Sequence, residues 1–183
     1  MNQALLDGPH DGRQLRQALA RFATGVTVIT TRTDQGLRLG LTANSFSALS
    51  LDPALVLWSM VKRSGALPEF VAAARFAVNV LGLEQAEVSQ HFATASGDRF
   101  ARYAFEEGLS GLPLLSGALA SFECKTEHTV DGGDHLLFIG RVQRIRWRDG
   151  PPLVFSAGRY CSAQVLPAAS SQADVDAVWN GLG

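Results

Sequence analysis

Apolar residues in this chain fall mostly into short runs separated by turn-forming residues. Near the start, Leu15, Ala18, Leu19 and Phe22 recur at helical period, which predicts a short amphipathic helix ending near Thr24-Gly25. Val26 to Thr31, rich in Val, Ile and Thr, reads as a strand. Asp34-Gln35-Gly36 is a hairpin signal, with Leu37 to Leu41 as the returning strand. Ala54 to Met60 reads as a third strand and Phe76 to Leu81 as a fourth. Helices are expected over Gly65 to Ala74, with Pro68 in the first turn, and over Glu84 to Phe92. Residues 94–117, with Gly97, Gly108, Gly111 and Pro113, are expected to be irregular and functional. Ala118 to Val130 and Leu136 to Trp147 predict two long strands joined by Asp131-Gly132-Gly133-Asp134, and Leu153 to Ser156 a last short one.

Six or seven strands with mostly short connections and few helices indicate a mainly β fold, an antiparallel barrel. The regular strand–helix alternation of a doubly wound sheet is missing, as is any internal repeat. Residues 1–14 are expected to be a flexible N-terminus and residues 15–166 one domain. Residues 167–183 are expected to be a tail in which Ser171 caps a final helix reaching Trp179.

With 183 residues, 46% hydrophobic and 18% charged, the chain can bury a sizeable core and is not of disordered composition. A net charge of -1 without a basic arm argues against nucleic acid or an anionic membrane as partner. Two cysteines, Cys124 and Cys161, cannot build a disulfide framework and have no metal-knuckle spacing. Met1 to Arg16 lacks the apolar region of a signal peptide, and no apolar run is long enough to span a membrane, so a cytoplasmic protein is expected.

The segment Thr42-Ala43-Asn44-Ser45-Phe46-Ser47-Ala48-Leu49-Ser50-Leu51-Asp52-Pro53 stands apart. It is a polar ribbon between two apolar strands, with less glycine and charge than a solvated loop and less Val and Ile than a core strand. Small hydroxyl and amide side chains let a flat polar ligand lie close to the backbone. Other chemistry is lacking: no Gly-x-Gly-x-x-Gly follows a strand, and neither a Walker-type loop nor a nucleophile elbow is present. Cys124 and His128 would share one face of a strand but about 13 Å apart, too far to share a metal. An enzyme with so few acid–base candidates fits a cofactor that carries the chemistry.

Six segments in order resemble the short-chain flavin reductases. They are Arg21 to Thr31, Thr42 to Pro53, Phe76 to Leu81, His91-Phe92-Ala93, Gly133-Asp134-His135 with Phe138 to Val142, and Gly158-Arg159-Tyr160. The resemblance implies the FMN-binding split β-barrel. It also implies NAD(P)H-dependent reduction of FMN or FAD, a homodimer with the flavin near the subunit interface, and a partner flavin-dependent monooxygenase that receives the reduced flavin. By the same resemblance, Thr42, Ala43, Asn44 and Ser45 lie along the flavin ring and ribityl chain. The Ser59-Met60-Val61-Lys62-Arg63-Ser64 turn cradles the phosphate, with Arg63 pairing to it and Ser64 donating near a helix N-terminus. Phe92 and Ala93 lie near the flavin, and Arg99 helps at its phosphate or at a dimer contact. His135 faces the nicotinamide, with Arg21 and Tyr160 as further nucleotide contacts. No dedicated basic cluster reads a 2′-phosphate, so NADH is expected over NADPH. FMN and FAD stay equally open. Two alternative roles rank behind the reductase: a tight flavoprotein acting on a corrinoid, quinone or ferric iron, and a non-catalytic flavin-binding module.

Overall fold

The computed structural model describes residues 11–164. Its first helix, α1, spans Gly12–Leu19 and is capped by the Asp11 carboxylate on the Arg13 amide. The helix thus stops short of Phe22 and of the expected end near Thr24-Gly25. The strands follow as β1 Thr24–Gly25, β2 Thr27–Arg32, β3 Arg38–Ala43, β4 Ser47–Leu51 and β5 Ala54–Val61. Helix α2 is Leu67–Ala73, with Pro68 in its first turn, where its missing N–H costs nothing. Then come β6 Arg75–Val80, α3 Ala86–Thr94, β7 Phe105–Glu107, β8 Pro113–Leu115, β9 Ala120–Gly132, β10 His135–Trp147, β11 Leu153–Ser156 and β12 Arg159–Ser162. The expected tail helix capped by Ser171 lies outside the described residues.

Seven strands form one antiparallel sheet in the order β3-β2-β6-β9-β10-β5-β4. It curls without closing, because β3 and β4 are both edges. This is a split barrel, as the resemblance implied. A smaller sheet, β1-β11-β12, lies beside it. Alternation along β5 sends Val56, Trp58 and Met60 inward, where Trp58 stacks on Phe138 at 4.5 Å and meets Phe70 and Phe76 edge-on. β2 is buried on both faces. Ile29 joins this barrel core, while Val28 joins a second core with Leu81, Val88, Phe92 and Phe100 beneath α3. Gly40 of β3 permits that second packing, since a Cβ there would meet the Phe92 ring at 2.7 Å.

Three expectations change. Residues 94–117 are not irregular throughout: β7 and β8 pair antiparallel around a turn whose Leu109 amide donates to the buried Glu123 carboxylate. The polar ribbon is partly a strand, β4, paired with β5. Cys124 and His128 do not share a face, because Ile139 pairs with His128 and Gly140 with Thr126. That leaves Glu127 as a bulge that flips the alternation, so Cys124 is buried and His128 exposed. Among the described residues, no helix is long and apolar enough to cross a membrane.

Candidate flavin site at the barrel split

The free edge of β3 runs into the ribbon at Thr42 and Ala43, where the barrel is open. Beside it lies a cavity of about 690 Å³. Its wall includes Thr42, Asn44, Ser89, Ala93, Phe155 and Tyr160, drawn from β3, the ribbon, α3 and the β11–β12 hairpin. The walls are braced across elements. The Thr42 hydroxyl donates to the Ser89 carbonyl at 2.6 Å, and the Ser89 and Tyr160 hydroxyls are 2.8 Å apart. Helix α3 and edge strand β12 are therefore fixed against the ribbon. A second cleft of about 480 Å³ adjoins through Asn44 and Phe155 and is lined by Ser45 and by Leu19 and Phe22 at the end of α1. Asn44 is exposed and reaches both spaces. Ala43 packs toward the barrel core, and its carbonyl accepts from Thr27 at 2.7 Å.

A second cluster forms past Ser45. The Ser45 hydroxyl donates to the Ser59 carbonyl at 3.1 Å and accepts from the Ser59 amide at 3.0 Å, which pins the ribbon to β5. About 10 Å further along β5, at three residues' rise, is the Lys62 turn. Here His135 pairs with Val61 across β5 and β10, and the Lys62 amide donates to the Asp134 carbonyl. The Lys62 ammonium binds Asp131. That hydrogen bond, with help from the Gly133 amide, holds the Asp131 carboxyl below the ordinary carboxylate range. A 2.7 Å hydrogen bond from His135 Nδ1 lowers the Asp134 carboxyl likewise, and the Arg63 charge adds to it. Arg63 is exposed and makes no ion pair among the described residues. Ser64 lies ahead of α2, and its hydroxyl accepts weakly from the Ala66 amide. Lys62 is thus engaged by protein, while Arg63, Ser64 and His135 share one end of β5 and remain open to a ligand.

Other expected residues sit differently. Phe92 is fully buried, edge-on to Phe100, so its side chain supports the site from below and does not reach the cavity. Met60 is 3% exposed and packs in the barrel core, which leaves only its backbone near the turn. Arg99 clamps the end of α3 to β3: Nε donates to Ala95, and Nη1 to Gly40 and Phe92. Arg21 is exposed, and its side chain makes no hydrogen bond among the described residues. The cavity is bordered by α3 and the β11–β12 hairpin, and none of residues 94–117 lines it. Burial pushes the Cys124 thiol up to about 12, so it is chemically inert.

A model of the "Flavin reductase like domain" matches residues 19–164. The chain belongs to the flavin reductase-like family. It is 44% identical over 153 residues to the FMN reductase (NADH) SmoA of Agrobacterium fabrum, covering 84% of this chain and 87% of that protein. It is 43% identical to the reductase component of a flavin-dependent trigonelline monooxygenase from Acinetobacter baylyi, covering 91% of this chain and 52% of that longer protein. Among solved structures it superposes with a TM-score of 0.82 on the NADH:FAD oxidoreductase SgcE6 of Streptomyces globisporus, in complex with NAD and FAD fragments. That match is 38% identical and covers 91% of this chain and 100% of the other.

Some residues of this flavin reductase-like site were not singled out from sequence. Ser89 and Gln90 reach the cavity from α3, and Phe155 from β11. Helical spacing places Ser89 near Phe92 and Ala93, but only the tertiary docking of α3 on β3 shows that it meets Thr42 and Tyr160. Asp131 and Asp134 were read as turn residues, yet they organise Lys62 and His135.

Proposed function

We infer that this chain is an NADH-dependent flavin reductase that supplies reduced flavin to a partner flavin-dependent monooxygenase. The observation that carries this reading is convergence. Thr42, Asn44, Ala93 and Tyr160 are distant in sequence and line one cavity whose volume lies within the usual range for ligand sites. The residues fit a flavin: a free strand edge and small polar side chains suit a flat ring, and the exposed Arg63 beside Ser64 suits a phosphate.

Held by the ribbon from Thr42 to Ser45 and the Arg63–Ser64 turn, a flavin would supply the acceptor for hydride from the nicotinamide. The chain's own residues supply placement. The ribbon from Thr42 to Ser45 presents backbone and amide groups to the ring edge, and Ala93 leaves room above. His135, oriented by Asp134, lies beside Arg63 and Ser64 at the end of β5, and in this reading it would contact the pyridine nucleotide from there without having to move a proton. The cavity is open to solvent on one side, which suits release of reduced flavin to a second protein.

The acting unit in this reading is a homodimer. Leu15, Leu19 and Phe22 are 47%, 64% and 77% exposed, and α1 buries no residue. This apolar strip borders the cleft at Ser45, so a second subunit there would cover it and close the flavin site from one side. Two free cysteines and dependence on NADH agree with work in the cytoplasm.

The test is anaerobic oxidation of NADH by the purified protein with FMN or FAD added. Turnover should require flavin and should exceed that with NADPH. NADH oxidation unaffected by either flavin would overturn the reading.

A further inference from the structure

Ser89 joins two walls of the cavity at once. It lies on α3 and is fully buried. Its carbonyl accepts from Thr42 on β3, and its hydroxyl meets the Tyr160 hydroxyl on β12 at 2.8 Å. A serine or threonine inside a helix can return its hydroxyl to the carbonyl four residues back. Thr94 does so in this same helix, donating to Gln90 at 2.8 Å. The Ser89 hydroxyl has no partner other than Tyr160 among the described residues. Two hydroxyls carry two protons, and the contact between them holds one. If Tyr160 donated, the Ser89 proton would be buried without an acceptor, which costs the desolvation of that donor. If Ser89 donates, the spare proton is the phenolic one. Tyr160 is 37% exposed and lines the cavity, so that proton can meet water or a ligand. The second arrangement is the lower in free energy. The Tyr160 ring also packs edge-on to Phe155 at 5.7 Å. A ring held on one side, with its oxygen accepting from behind, presents a directed donor in front.

We propose that Ser89 is a positioning residue for hydride transfer: its hydroxyl fixes Tyr160 as a donor, and the phenol donates to the carboxamide oxygen of the nicotinamide. The proposal rests on the reductase reading and deepens it. In that reading one face of the flavin lies on the ribbon, so the nicotinamide comes to the other face, toward the cavity walls on α3 and β12. A carboxamide offers an accepting oxygen and a donating nitrogen. A hydroxyl that is already accepting, and has its proton free, selects the oxygen. That choice sets which way the pyridine ring is turned, and with it where its C4 lies. Ser89 touches no ligand and acts through Tyr160.

The test measures KM for NADH and for flavin in the wild type, Tyr160→Phe, Ser89→Ala, Ser89→Thr and the double variant of Ser89→Ala with Tyr160→Phe. Tyr160→Phe and Ser89→Ala should each raise KM for NADH roughly 3- to 10-fold, the range of one neutral hydrogen bond, and leave KM for flavin near the wild-type value. Ser89→Thr keeps the hydroxyl and should restore KM for NADH. The double variant should be no worse than Tyr160→Phe alone, because without the phenol oxygen the Ser89 hydroxyl has nothing to orient. That comparison does not depend on threonine fitting the buried position. A serine that only braces α3 would give losses that add in the double variant and a KM for flavin that rises with that for NADH. Either result overturns the proposal. Failure of the reductase reading would show separately, as wild-type NADH oxidation that does not depend on flavin.

Discussion

At the residue scale, the most constrained polar group is Asn79, which is fully buried between the two cores. Its amide donates to the Val28 carbonyl at 3.0 Å and the Thr30 hydroxyl at 3.2 Å, while its oxygen accepts from the Leu115 amide and the Ser121 hydroxyl. All four bonding positions are satisfied, so β2, β6, β8 and β9 are registered through one side chain. Asn79→Asp keeps the shape but removes both donors and sets a carboxylate against a carbonyl. It should lower unfolding free energy by about 2–4 kcal/mol in urea titration, and an unchanged midpoint would show that the network is dispensable. His135 is the opposite case, exposed and held by one neighbour. His135→Ala should raise KM for NADH more than KM for flavin. Equal changes in both constants would remove it as a nicotinamide contact. The sequence placed Asn79 on a strand and His135 after a turn. It could not distinguish a buried amide that organises four strands from one that merely fills space, because its partners are 36 to 51 residues away.

At the element scale, β9 and the β7–β8 hairpin are joined through Glu123. Its side chain is 1% exposed and receives the Arg144 guanidinium and the Leu109 amide. Burial alone would raise its carboxyl, but the Arg144 hydrogen bonds and the Leu109 amide outweigh that and hold it below the ordinary carboxylate range. A carboxyl depressed on folding stabilises the native state above its unfolded-state value, and the stabilisation is lost as pH falls through the folded value. Melting temperature should therefore drop on acidification below about pH 4.5. Glu123→Gln, already without the charge, should show a shallower drop over the same range; parallel curves for the two proteins would contradict this. The pairing of β7 with β8 was hidden in the sequence by Gly108, Gly111 and Pro113, which read as loop. A buried carboxylate distant in sequence overrides that local signal.

At the scale of the whole molecule, the proposed site lies at the split between β3 and β4, and the uncovered strip on α1 is the surface that the proposed homodimer would cover. Leu19→Ser with Phe22→Ser should shift the solution mass from dimer toward monomer in light scattering and weaken flavin binding, while the melting transition of each subunit persists. A mass unchanged by the pair would place the interface elsewhere. Helical and strand periods, hairpin turns and the polar ribbon are set by neighbouring residues, so the sequence by itself determined the longer strands and helices, the mainly β class and the family, but not β4 or the β7–β8 hairpin. Tertiary structure alone decided which candidates meet. It sent Met60 and Phe92 into the cores, and bound Lys62 to Asp131 and Arg99 to three carbonyls. It also brought Ser89 and Tyr160 to the ribbon. The reason is that burial and hydrogen-bond partnership depend on which strand faces pack after the sheet curls, and one bulge, as at Glu127, is enough to turn a side chain from core to solvent.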